Sequence, residues 1–130
     1  MSAAKRPVAG YVLTALGGAF LLFDAVIKLL RLAPAMQGTT DLGYPASTVL
    51  PIGIIEFVCV GLYLAPRTSV FGALLLTGYL GGAIATHLRI GNPLFTHTLF
   101  PIYVALMLWG GLYLREPRLR ALLPLRRRDG

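Results

Sequence analysis

The sequence predicts an all-α fold, an antiparallel transmembrane four-helix bundle with its N- and C-termini in the cytoplasm. Three observations carry this. Four apolar segments each approach the roughly 20 residues that cross a hydrocarbon core. Short Gly/Pro-rich turns separate them. Basic residues crowd towards one side of the segments. Composition agrees: 56% of the 130 residues are hydrophobic and 13% are charged, where a soluble domain carries about 25% charged residues. Such a chain forms one unit. The formal net charge of +7 lies mostly outside the apolar runs. It therefore reads as a topology signal and a contact to anionic lipid, with no nucleic acid as partner.

The first segment runs from about Val8 to Leu32. Lys5 and Arg6 precede it in the manner of a signal peptide, but it is too long for most signal h-regions. It also continues through Asp24 and Lys28, so it reads as a retained helix. Pro34 ends it. The connection from about Ala33 to Ser47 is mixed in polarity and fits either a surface segment or a cap folded back on the bundle. Gly43-Tyr44-Pro45 closes it. The second segment, about Thr48 to Leu64, is the shortest, and Ala65-Pro66-Arg67 turns tightly into the third, about Ser69 to Ile90. Gly91-Asn92-Pro93 leads to the fourth, about Phe95 to Leu114, which Pro101 is expected to kink early. Residues 115–130 form a basic tail. Tight turns make sequential helices antiparallel neighbours, and lipid leaves the helix as the open-chain solution for a spanning segment.

Orientation follows from the basic residues. Lys5, Arg6, Arg67, Arg115, Arg118, Arg120, Arg126, Arg127 and Arg128 fall on one side; Lys28, Arg31 and Arg89 fall on the other. The richer side is cytoplasmic by the positive-inside rule, which places the chain in the cell membrane. Arg126-Arg127-Arg128 is expected to rest on anionic headgroups.

Five ionisable residues lie within or at the ends of the segments: Asp24, Lys28, Glu56, His87 and Arg89. All fall in the outer half of the bundle, on three different helices. Charge in lipid costs about 3 kcal/mol per group on insertion scales, so these residues should face the interior and pair. Asp24 and Lys28 stand four apart with the acid first, the favourable order. Ile52, Glu56, Cys59 and Tyr63 share one face of the second helix. On the third, Tyr79 aligns with Thr86, while His87 and Arg89 diverge to either side. The candidate ligand-binding set is therefore Asp24, Lys28, Glu56, His87, Arg89 and Tyr79, a polar pocket open to the outside. Ion pairs that only fix helix register are the alternative, and Lys28 or Arg31 could instead reach the headgroups.

Other chemistry finds little footing. His87 and His97 lack metal-ligand spacing, so no metal is expected. The single cysteine, Cys59, excludes an intrachain disulfide and a Cys-x-x-Cys pair. No phosphate loop, nucleophile elbow or zinc-protease motif occurs, and no catalytic residue is assigned. The glycines Gly10, Gly17, Gly18, Gly78, Gly82, Gly110 and Gly111 read as sites of close helix approach within the bundle. Trp109 and Tyr113 suit the cytoplasmic interface belt.

Several stretches resemble the DoxX-like family of small four-helix membrane proteins. They are Phe23-Asp24 with Lys28-Leu29, Leu42-Gly43-Tyr44-Pro45, Glu56-Phe57-Val58-Cys59, Leu62 through Thr68, Gly72 through Ala83, and Ala85-Thr86-His87-Leu88-Arg89. The likeness runs from Tyr11 to Leu123. It implies the same four-helix bundle. The wider group includes subunits linked to thiosulfate oxidation with quinone as acceptor, and members of sulfur or oxidative-stress complexes.

Two functional readings follow. In the first, the chain has no catalytic activity of its own and is an accessory or binding subunit. Its pocket takes a lipid, a quinone or a helix of a membrane protein partner. In the second, it is the membrane subunit of a quinone-linked oxidoreductase complex, in which Glu56 and His87 move protons and a partner supplies the electron-transfer centre. A transporter ranks last, because the polar residues occupy one half of the bundle and mark no continuous path.

Overall fold

A computed structural model describes residues 5–122; the Arg126–Arg128 tail lies outside the described residues. The order is α1 (Lys5–Leu29), α2 (Ala33–Asp41), a 3₁₀ turn (Ala46–Thr48), α3 (Val49–Leu64), α4 (Ser69–Ile90), a π-helical stretch (Leu94–Thr98), α5 (Phe100–Arg115) and α6 (Pro117–Leu122). No strand occurs among the described residues. Among the described residues, four stretches are long and apolar enough to cross a membrane: Lys5–Leu29, Ala46–Leu64, Ser69–Ile90 and Leu94–Arg115.

The helix ends have local causes. α1 stops earlier than its apolar run, because the chain reverses at Arg31, which adopts the left-handed conformation at φ 53°. The Arg31 N–H then donates to the Lys28 carbonyl at 3.1 Å and the Leu32 N–H to that of Ile27 at 3.0 Å, the Schellman pattern that satisfies orphan carbonyls. At the end of α4, Gly91 takes the same role at φ 74°. The expected kink at Pro101 is a full break. A proline lacks the N–H of an interior helical residue and clashes with the carbonyl four residues back. The chain therefore winds as a π turn to Thr98 and restarts as α5 with Pro101 in its first turn, where a missing donor costs nothing.

Of the two arrangements open to the first connection, the folded-back cap is the one found. Tyr44 Oη lies 2.8 Å from Thr86 Oγ1, and Arg89 Nη2 donates to the Leu42 carbonyl at 2.7 Å. Gly43 sits between them at φ 90°, and a Cβ there would stand 2.8 Å from Arg89 Nη2. Only a glycine suits both demands.

Close helix contacts run through glycines. A Cβ at Gly10 would meet the Gly111 carbonyl at 2.7 Å, and one at Gly17 would meet Leu108 at 3.0 Å. Further along the same pair, Phe20 and Phe100 pack edge to face at 5.3 Å. On α4, a Cβ at Gly72 would run into the Tyr63 backbone of α3. Gly78 and Gly82 do not follow this pattern, since nothing lies within 4 Å of a Cβ at either position. Around these contacts Leu21, Val60, Tyr63, Leu76, Leu108 and Leu112 form the buried core. Outward-facing Val8, Leu16, Phe23, Phe71, Leu74 and Leu106 stay exposed, the all-round apolar character of helices meant for lipid.

At the end that holds Gly10 and Arg115, the polar groups satisfy one another. Tyr63, fully buried, donates to the Leu108 carbonyl at 2.6 Å. Arg115 donates through Nε to Thr14 at 3.0 Å and through Nη2 to Ser69 at 3.4 Å. Its guanidinium also lies over the rings of Tyr11 and Tyr63, a favourable cation–π arrangement. Trp109 is tied to α4, donating to Thr77 Oγ1 at 2.7 Å.

These contacts separate the glycines by role. Gly72→Ala is expected to lower stability by about 1–3 kcal/mol through overpacking. Gly81→Ala, where nothing lies within 4 Å, is expected to be neutral or slightly stabilising. Thermal unfolding in detergent checks both.

Candidate functional site

At the other end of the bundle, one ammonium joins three helices. Lys28 Nζ lies 2.6 Å from Asp24 Oδ2, 3.1 Å from Glu56 Oε1 and 2.8 Å from Tyr79 Oη. Asp24 is one helical turn before Lys28 on α1, Glu56 is on α3 and Tyr79 on α4. A lysine ammonium has three N–H donors, so all of them are committed. Gly53, three residues before Glu56, makes this reach possible. A Cβ at that position would stand 2.8 Å from Lys28 Cβ, so only a bare backbone lets α1 come this close. The side chains are 14% exposed at Lys28, 33% at Asp24 and 0% at Glu56. Taking such charges out of water is costly, and it is tolerated where they neutralise one another at short range.

Glu56 is nonetheless incompletely satisfied. Its Oε1 accepts from Lys28, but Oε2 is buried and has no hydrogen-bond partner among the described residues. An acceptor buried in this way costs about 1–3 kcal/mol, and most buried polar groups avoid it.

Glu56 lines a cavity of about 710 Å³ between α1, α3, α4 and the start of α5. Asp24, Lys28 and Tyr79 line it too, while Leu21, Ile27, Ile52, Ile55, Leu80 and Val104 supply apolar wall. Gly78 and Gly82 belong to this wall, which explains their empty surroundings: they widen the cavity and do not draw helices together. Pro34, Ala35 and Thr39 of α2 and Tyr44 of the following loop close over it.

His87 and His97 line the same cavity. Their rings meet edge to face with centroids 5.9 Å apart. His87 Nδ1 lies 2.7 Å from the Asn92 side-chain amide, and His97 Nδ1 lies 2.8 Å from Thr96 Oγ1. Among the described residues, no group of three His, Cys, Asp or Glu side chains is placed to hold a metal ion. Cys59 is a buried free thiol in the core next to Val60.

Of the six residues proposed from sequence, Asp24, Lys28, Glu56 and Tyr79 thus meet at one ammonium. His87 stands elsewhere on the same cavity. Arg89 turns to the Leu42 carbonyl and holds the cap in place. Sequence reasoning allowed a folded-back cap but did not place Ala35, Thr39 and Tyr44 on the cavity, and it missed the contribution of His97. Pro34 in the first turn of α2 was the available signal, since proline starts helices as readily as it ends them. The arrangement offers an apolar chamber with one hydrogen-bonded charge cluster in its wall, suited to an amphiphile with a small polar head.

The family model described as DoxX-like family matches residues 12–111, most of the chain. No curated protein and no solved structure matches. The chain belongs to the DoxX-like family and is a multi-pass membrane protein.

The cluster has a measurable sign. Lys28→Met is expected to destabilise by about 3–5 kcal/mol, because it strands a buried carboxylate. Lys28→Met combined with Glu56→Leu should lose less than Lys28→Met alone. Unfolding of the wild type, both single variants and the double variant gives the coupling energy.

Proposed function

Starting from its place in the DoxX-like family, we propose that this protein is a non-enzymatic accessory or binding subunit whose capped cavity holds a lipid-like amphiphile. The single observation that carries this is the part-buried Asp24–Lys28–Glu56–Tyr79 cluster in the wall of a largely apolar chamber of about 710 Å³. A cluster that only set helix register would be better served by closing around its charges. Here Glu56, whose Oε2 has no hydrogen-bond partner among the described residues, is a residue of the cavity wall.

In this reading the bundle is antiparallel, with both termini cytoplasmic and the cavity in the extracytoplasmic half of the cell membrane. Support comes from the contact order, in which Gly10 meets Gly111, Gly17 meets Leu108 and Phe20 meets Phe100. The uneven split of basic residues supports it as well. The tail then rests on anionic headgroups. The exposed apolar surface of the spans is open to lipid and to a membrane protein partner.

A second reading is favoured by the meeting of Glu56 and His87 on one cavity. There the occupant is a quinone, and these two side chains carry its protons within an oxidoreductase complex whose electron-transfer centre sits in another subunit.

Mass spectrometry of small molecules co-purifying with wild type and with Glu56→Gln separates these readings. The expected result is one amphiphile enriched in wild type and depleted in the variant. A quinone in that role would favour the oxidoreductase reading. No enriched molecule in either sample would contradict both and leave a purely structural cluster.

A further inference from the structure

Resting on the reading of the cavity as a binding site, we propose that it opens sideways to the bilayer between α3 and α4. The acyl chain of a bilayer phospholipid enters through this seam and lies against Gly78 and Gly82.

Helical geometry places the seam. Gly53 is the side of α3 that meets α1, since a Cβ there would stand 2.8 Å from Lys28 Cβ. Each residue turns a helix by about 100°, so Ile55 falls on the far flank of α3. It lines the cavity and yet is 54% exposed. On α4, Leu80 is buried towards α5, where it shares a wall with Pro101. Gly82, two residues on, falls on the opposite flank, towards α3, and Gly78 stands one turn before it. Both glycines line the cavity, are exposed, and have nothing within 4 Å of a Cβ. Residues that line a cavity and also meet the outside mark an opening.

The same two helices touch elsewhere. At their other end, a Cβ at Gly72 would run into the Tyr63 backbone. From that contact α3 and α4 diverge towards the level of Gly78 and Gly82. The Lys28 ammonium stands between them there, 3.1 Å from Glu56 Oε1 and 2.8 Å from Tyr79 Oη. It acts as a strut across the gap. Elsewhere around the cavity, α1 is closed against α3 at Gly53 and against α5 by the edge-to-face pair Phe20 and Phe100.

Depth and chemistry select the occupant. Gly78 and Gly82 lie about 14 and 20 Å along α4 from Ser69, at about 1.5 Å per residue. That is well inside a hydrocarbon core roughly 30 Å thick. From Ser69 to Thr86, α4 carries no charged residue. The rim continues outward as exposed Val58 of α3 and Phe71 and Leu74 of α4, so the seam is continuous with the lipid-facing surface. Ile52, Ile55 and bare glycine backbone give water few partners, and apolar voids stay dry. Left unfilled, such a void forfeits dispersion contacts, which a hydrocarbon chain restores. A partner helix, about 10–12 Å across with its side chains, is too thick to enter between helices that meet at Gly72.

The test uses the full chain in phosphatidylcholine nanodiscs. A fraction of the lipid is phosphatidylcholine with a photoreactive diazirine midway along one acyl chain. After illumination, peptide mass spectrometry maps the labelled residues. Leu21 and Val104 are buried residues of the cavity wall; Leu16 and Leu106 are exposed on the outside and serve as reference. The expected result is labelling of Ile55, Leu21 and Val104 together with the reference residues. Gly82→Leu and, separately, Ile55→Trp fill the seam and leave every charged group in place. Each should lower labelling of Leu21 and Val104 by roughly tenfold, the effect of about 1.4 kcal/mol, and leave Leu16 and Leu106 unchanged. Unfolding temperature confirms that each variant folds. Label on Leu16 and Leu106 with none on Ile55 would mean that a second copy covers the seam, and would overturn the acyl-chain assignment. Label on Ile55 with none on Leu21 and Val104 would overturn entry. Interior labelling undiminished in both variants would overturn the α3–α4 path and leave the cavity reading standing. An unlabelled interior in a protein that still co-purifies with an amphiphile would also spare the cavity reading; without such a molecule, both readings fall.

Discussion

The rest of the structure depends on where the Lys28 ammonium goes. A charge among apolar helices has few acceptable positions, and this one is held by acceptors from α1, α3 and α4 together. Meeting that demand sets the approach of α1 to α3 at Gly53, because any side chain there would collide with Lys28. It sets the rotation of α3, since Glu56 must face inward, which carries Cys59 and Tyr63 into the core on the same face. It also sets the rotation of α4, which turns Tyr79 to the interior and brings Gly78 and Gly82 to the cavity wall. Hydrophobicity cannot do this alone, because in lipid it does not discriminate between one apolar helix face and another.

The two ends of the bundle handle their polar groups differently. Around Arg115 the donors and acceptors close on each other: hydroxyls of Thr14 and Ser69 receive the guanidinium, and Tyr63 donates to the Leu108 carbonyl. Glycines at Gly10 and Gly111 bring the backbones together there and leave no room for a guest. Around Lys28 the account does not close. An oxygen of Glu56 is left over, the glycines of α4 face open space, and α2 folds across the opening. One end holds the helices together, and the other keeps a chamber between them. That contrast within one small bundle is the physical basis for placing function at the capped end.

Much of this was legible in the sequence, and the rest was not for identifiable reasons. Spans are readable because lipid permits so few alternatives, so the four apolar segments map onto four helical stretches. The first shifts from Val8–Leu32 to Lys5–Leu29, since hydropathy sees Leu30 and Leu32 but not the reversal at Arg31. Helical spacing pairs Asp24 with Lys28. It cannot see that Glu56, which lacks a charged neighbour on its own helix, meets the same lysine across the bundle. Periodicity reports one helix at a time. The same blindness affects the glycines. Gly78 and Gly82 have the spacing of a helix contact, yet only the neighbouring helix decides whether such a face is packed or empty. Arg89 and His87 diverge on α4 as the spacing implies; the structure adds that one holds the cap and the other lines the chamber.

The central claim is that Lys28 binds both carboxylates at once inside the bilayer-spanning bundle. Labelling can address it with little ambiguity, because the chain has two lysines, Lys5 and Lys28, and two glutamates, Glu56 and Glu116. Solid-state NMR of lysine-¹⁵N, carboxyl-¹³C protein in lipid bilayers measures dipolar coupling between Lys28 Nζ and nearby carboxyl carbons. Short-range coupling from Lys28 to both Asp24 and Glu56 is the expected result, and Glu56→Gln should shift the Lys28 resonance. Coupling to Asp24 alone, with a Lys28 signal that exchanges freely with water and ignores Glu56→Gln, would mean that the lysine reaches to the headgroups and that the cluster does not organise the fold.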